Sequence, residues 1–355
     1  MRFMYHSFPR RRADGERDHG KGFAILELIA EHGLLLTPEI ERWTDVKTAP
    51  SPPEEYIVVS RRCCFTELAP HEVPNHAERF GDFALEFEHR TLLDLGAMPV
   101  FYVPRMGAYE NYGPGPALVT QLAHVQDTMQ RVSTFRMFAK AAAGAPKAQI
   151  LARYDAVHNL VFFAEGTDVT FVMSRSLLEH TKKMNPLFRA PELPAGVAAP
   201  LGLTAETLLS ISNLLAWGLH DPDVLVGTVK ALGSLFYSTE RRDDPLLSHY
   251  QQREWRIIGG MMKDGAALTE KLPITLSDAL MALDAELFGR ELALPTGSKR
   301  FVDECELFEK GLDGRRVLAM ARRIIAPAAY VDRVRELTRG AIAVVPPEGL
   351  GEERD

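Results

Sequence analysis

Between Ile57 and Val103 three β-type runs follow one another, Ile57–Ser60, Phe83–Phe87 and Val100–Val103, with a short helical signal before the last. Runs of this kind rich in β-branched and aromatic residues belong to a sheet. Polar residues lie where the runs end: Cys63-Cys64-Phe65-Thr66-Glu67, then His71, Asn75 and His76. A rigid sheet with polar residues at its strand ends and loops is a way to present a site. About 190 residues later stands a second dense motif, Arg253-Glu254-Trp255-Arg256-Ile257-Ile258. Any fold of this chain has to account for both.

The rest of the chain divides around that block. Phe3–Phe8 is a strand candidate, residues 10–21 a charged loop, and Phe23–Glu31 a helix stopped by Gly33. Residues 45–55 carry three prolines and read as a loop. After Tyr112-Gly113-Pro114-Gly115-Pro116 the texture becomes helical over 117–142, with Leu118, Leu122, Val125, Met129 and Val132 on one face. His158–Phe163 and Val169–Met173 form strands about a Gly166-Thr167-Asp168 turn, and 190–203 is a proline-rich connector. A helix starts at Thr204, and a second, capped by Asp221-Pro222, runs to Tyr237. Trp255–Met261 is β-type, 275–288 and 328–338 are helical, and Ala341–Val345 is a last strand. The expected fold is α+β: a split, bent, mixed β-sheet in two halves, residues 1–104 and 246–355, with a mostly helical insertion over 105–245.

Composition narrows the function classes. A net charge of −7 argues against a generally basic nucleic-acid surface, and nucleic-acid binding stays open. Three cysteines, two of them adjacent, form no disulfide framework or Cys-x-x-Cys pair, which points to a reducing, cytoplasmic compartment. No apolar stretch reaches membrane-span length, and the N-terminus has no apolar signal core. Phosphate-binding glycine loops and the Gly-x-Ser-x-Gly elbow are missing from the sequence.

Each candidate residue has two readings. Glu254, at the start of an apolar strand, suits a general base or a ribose-orienting group, and equally an ion pair with Arg253 or Arg256. His6 could bond a ligand or sit half-buried in structure. Ser60, Thr66 and Glu67 suit a polar ligand, while Thr66 could simply cap a turn. Cys63 and Cys64 read as small core residues. His71 and His76 stand near Glu67, but their five-residue spacing and the lack of a clear third ligand argue against a metal, so no metal site is assigned. The apolar helices within 204–237 should pack on the sheet domain or form an interface, a homodimer being the simplest case.

Taken in order, Cys64-Phe65-Thr66-Glu67, His76, Phe80-Gly81-Asp82-Phe83-Ala84-Leu85-Glu86-Phe87, Gly96-Ala97-Met98-Pro99-Val100-Phe101-Tyr102-Val103 and Arg253-Glu254-Trp255-Arg256 resemble the AbiGi family of abortive-infection phage-resistance proteins. The resemblance implies phage defence in a two-gene toxin–antitoxin system, with a protein partner from the neighbouring gene, commonly a nucleotidyltransferase-like toxin. The same pattern is similar to a wider group with an ADP-ribosyltransferase-like sheet. That likeness implies NAD as cofactor, His6 on the adenosine-side ribose, Ser60 or Thr66 with Glu67 lining the pocket, and Glu254 as the catalytic carboxylate. Phe65 stands where such enzymes carry tyrosine. Two further readings remain: a non-enzymatic antitoxin or regulatory protein that binds a toxin partner, and a nuclease-like enzyme using Glu67, Glu86 and Glu254. The enzyme reading requires His6, Thr66 and Glu254 to converge on one cleft.

Overall fold

The computed structural model describes residues 2–9, 17–45, 54–103, 114–145, 149–184, 189–190, 192–193, 197–215, 226, 229, 232–238, 253–263, 266–294 and 297–352. The chain divides into two compact units, residues 1–123 with 227–355, and residues 124–226. The protein is a mixed α+β structure built on a mixed, multistranded sheet.

In the first unit, β1 (Phe3–Phe8) leads to α1 (His19–His32), so the helix starts inside the stretch expected to be loop. Asp18 explains that start, because its carboxylate accepts the Lys21 N–H as an N-cap. Gly33 ends the helix at φ 92°, where a Cβ would lie 2.4 Å from the Phe308 carbonyl oxygen. Then come β2 (Leu34–Asp45) and β3 (Glu54–Leu68); both reach into the segment expected as a loop at 45–55, and 46–53 lie outside the described residues. The polar segment around His76 is the helix α2 (Val73–Phe80). β4 (Phe83–Phe87), α3 (His89–Asp94) and β6 (Phe101–Val103) follow much as expected, with an unexpected short strand β5 (Met98–Pro99) before β6.

The helix α4 (Pro114–Ala143) begins in the first unit and ends in the second. Its expected apolar stripe is only partly covered, with Leu118 and Val125 exposed. Phe138, Ala139 and Ala142 are buried, in one cluster with Ile150, Ala164, Ala205 and Leu208. The stretch expected to be mostly helical also carries a four-stranded antiparallel sheet of β7 (Ile150–Tyr154), β8 (Leu160–Ala164), β9 (Thr170–Met173) and β10 (Ala199–Pro200). β10 stands inside the expected connector. After α5 (Arg175–Met184), α6 (Ala205–Leu215) buries Ala205, Leu208 and Ser212, leaving Ile211, Leu214 and Leu215 exposed. Leu208, with the small Ala205 and Ser212, makes the close contact, and Leu214 and Leu215 do not. Its expected partner helix from Asp221-Pro222 lies mostly outside the described residues.

Where that partner helix should end, the chain forms a strand instead, β11 (Phe236–Ser238), parallel to β6. Aromatic stacking fits this: Phe101 meets Phe236, and Tyr102 meets Tyr237 edge-on. β12 (Glu254–Ile258) returns the chain to the main sheet. The hairpin of β13 (Met262–Lys263) and β14 (Ala266–Ala267) and the short β15 (Glu270–Lys271) come next. The helical signal at 275–288 is two helices, α7 (Ile274–Leu283) and α8 (Ala285–Phe288), with Asp284 between them as the N-cap of the second. β16 (Glu291–Leu294) and β17 (Gly297–Arg300) form a hairpin. β18 (Glu306–Phe308), β19 (Arg323–Ile325), α9 (Val331–Leu337) and β20 (Ala343–Val345) complete the unit.

The main sheet runs β15-β18-β2-β3-β1-β4-β19-β20, with β12 on the other edge of β3 and β5 beyond it. Along one edge β3 changes partner, pairing with β2 as far as Arg62 and with β1 from Thr66. One face carries the main core of Met4, Phe8, Phe65, Phe83, Leu85, Phe87 and Ile257, covered by α1, α3 and α9. The opposite face holds Phe3, Tyr5 and Leu68 against α2 near one end of β3, and a run of polar and charged side chains beside them.

Candidate functional site

The two motifs separated by about 190 residues are neighbouring strands. β12 and β3 pair antiparallel, with Glu254 opposite Thr66, Arg256 opposite Cys64 and Ile258 opposite Arg62. Side chains alternate along a strand, so partners in register share a face. Tyr5 is also opposite Thr66, Glu86 opposite Tyr5, and Arg323 opposite Glu86. One row therefore crosses five strands on one face: Glu254, Thr66, Tyr5, Glu86, Arg323. Ser60, opposite Glu39, belongs to this face as well.

His6 and Glu67 do not. Each is one residue out of step with that row, so each points to the apolar-core side. His6 stands among Phe8, Phe65 and Cys63, with ring centroids 5.7 and 5.5 Å from the two phenylalanines. Its Nδ1–H donates to the Cys64 carbonyl at 2.9 Å, bridging the place where β3 changes partner. Burial lowers the His6 pKa, against the pull of that bond, so the ring is a neutral structural group. The backbone carbonyl of Glu67 accepts Arg253 Nε at 2.7 Å. Strand parity thus separates His6 and Glu67 from Ser60, Thr66 and Glu254, and the single cleft that the enzyme reading requires of His6, Thr66 and Glu254 is not formed.

Glu254 is held from both sides. Arg256, two residues along the same strand, donates from Nε to Oε1 at 3.0 Å, and the Tyr102 hydroxyl donates to Oε2. Burial by itself would raise this carboxyl's pKa, but Arg256 and Arg62 beside it, with both hydrogen bonds, hold it down to about 2. Arg256 is 1% exposed, donates to the Ser234 carbonyl at 3.3 Å and lies over the Tyr237 ring at 4.9 Å. Arg62 pairs with Glu39, lies over the same ring at 5.4 Å, and Tyr237 donates to Glu39 at 3.2 Å. Two guanidiniums neutralise two carboxylates here, and the hydroxyls of Tyr102 and Tyr237 donate to those carboxylates. The thiol of Cys64 lies within this group; burial pushes its pKa up, Arg62 opposes the shift, and the net is a protonated, unactivated cysteine.

The other members of the motif are engaged too. Arg253 grips Glu72 with two parallel bonds of 3.0 and 2.6 Å. Trp255 packs on the main core and meets His89 edge-on at 4.9 Å. His76 is buried and stacked on Phe80, and burial, aided by Arg253, lowers its pKa to about 4. Glu86, wholly buried, accepts from Tyr5 at 2.8 Å, Arg323 at 2.7 Å, and Arg322.

Sequence reasoning missed Arg62, Tyr102, Tyr237 and Glu39. Arg62 and Arg256 carried a usable signal, each two residues from another polar member of the same face. Tyr102 and Tyr237 carried none, because the pairing of β6 with β11 spans more than 130 residues. Among the described residues no group of His, Cys, Asp and Glu is arranged to hold a metal, and no helix is long and apolar enough to cross a membrane. No family model, curated protein or solved structure matches the chain.

Proposed function

We propose that this chain is a cytoplasmic phage-defence protein of the AbiGi kind, acting by binding a protein partner encoded beside it and not by chemistry on NAD. The observation that carries the non-enzymatic reading is the state of Glu254. Both its oxygens are taken by groups of its own fold, and the carboxylate stays ionised far below neutral pH. A carboxylate that stabilises a departing nicotinamide has to face the ligand from a partly dry cleft. Here it faces Arg256 and Tyr102, and His6, which the enzyme would place on the ribose, lies across the sheet.

The ADP-ribosyltransferase-like reading keeps one supporting feature: Thr66 and Glu254 are direct cross-strand neighbours on one face. The two readings part in a simple experiment. Purified wild-type protein is incubated with NAD, and nicotinamide release and melting temperature are followed. Partner binding expects neither turnover nor a thermal shift, since only a ligand that binds the folded state stabilises it. It also expects the neighbouring gene's product to co-purify with the chain. NAD consumption by wild type that a folded Glu254→Gln protein lacks would reverse the choice.

A further inference from the structure

We draw no further inference here: the strongest candidate, the buried Arg256 guanidinium between β12 and β3, whose Nη2 has no hydrogen-bond partner among the described residues, belongs to the polar cluster already described, and nothing in the structure shows what would accept from it.

Discussion

Glu86 and Glu254 stand in the same cross-strand row, on the same face of the same sheet, and their surroundings differ in an instructive way. Glu86 is sealed, at 0% exposure, and its partners come from β1 and from β19 with the residue before it, far along the chain. Glu254 keeps a small exposed fraction and takes Arg256 from its own strand, two residues on, with Tyr102 from a strand that leaves the sheet. Each carboxylate has a tyrosine hydroxyl and at least one guanidinium. The likeness teaches that a strand carboxylate flanked by arginines on this face is first a means of burying charge. Glu254 gains no catalytic role from its motif alone.

The comparison can be broken at its strongest point first. Glu86→Ala should cost about 4–5 kcal/mol in urea unfolding, because it strands the largely buried Arg323 guanidinium and the Tyr5 hydroxyl. Arg256→Met should cost about 3–4 kcal/mol by leaving Glu254 buried without its nearest cation. A cost near zero would mean that Glu254 is free for chemistry, and would set it apart from Glu86.

Acid titration sharpens the contrast. The Glu254 carboxyl lies at about 2 in the folded protein against an ordinary 4.5, so its stabilisation is complete above pH 4.5 and lost as pH falls toward 2. Each tenfold gain in acidity on folding is worth about 1.4 kcal/mol, which makes the whole effect on the order of 3 kcal/mol. Glu72, held by Arg253, acts in the same window, so Glu254→Gln should reduce the acid loss without abolishing it. His76 acts earlier: its pKa falls from 6.5 to about 4, so its contribution is full above pH 6.5 and declines from there to pH 4. His76→Asn should flatten that decline and leave the lower one. Stability measured by urea titration from pH 7 to pH 3 checks both. Tyr102→Phe should have the smallest effect, about 1 kcal/mol for one hydrogen bond to a carboxylate that keeps Arg256.

Much of the local structure was legible in the residues. β4 was visible as an apolar run, α1 in its period and its Gly33 stop, and β12 and β20 in β-branched composition. Cap chemistry corrected what period alone misplaced: Asp18 starts α1 earlier than the charged stretch suggested, and Asp284 splits one helix into two. The period of two even held the Glu254–Arg256 pairing, once the segment was known to be a strand.

What the sequence by itself determined is a part of the elements, α1, β4, β12 and β20 among them, because capping, turn chemistry and apolar period act within a few residues. Only the tertiary structure decided which faces meet. Register assigns His6 to the core side and Thr66 to the charged side, and a shift of one residue would exchange them. It brings β12 against β3 across about 190 residues and Tyr237 beside Tyr102 across 135, and it leaves β20 at an edge. Those pairings depend on how whole strands bury their apolar faces together, and no short stretch of sequence carries that information.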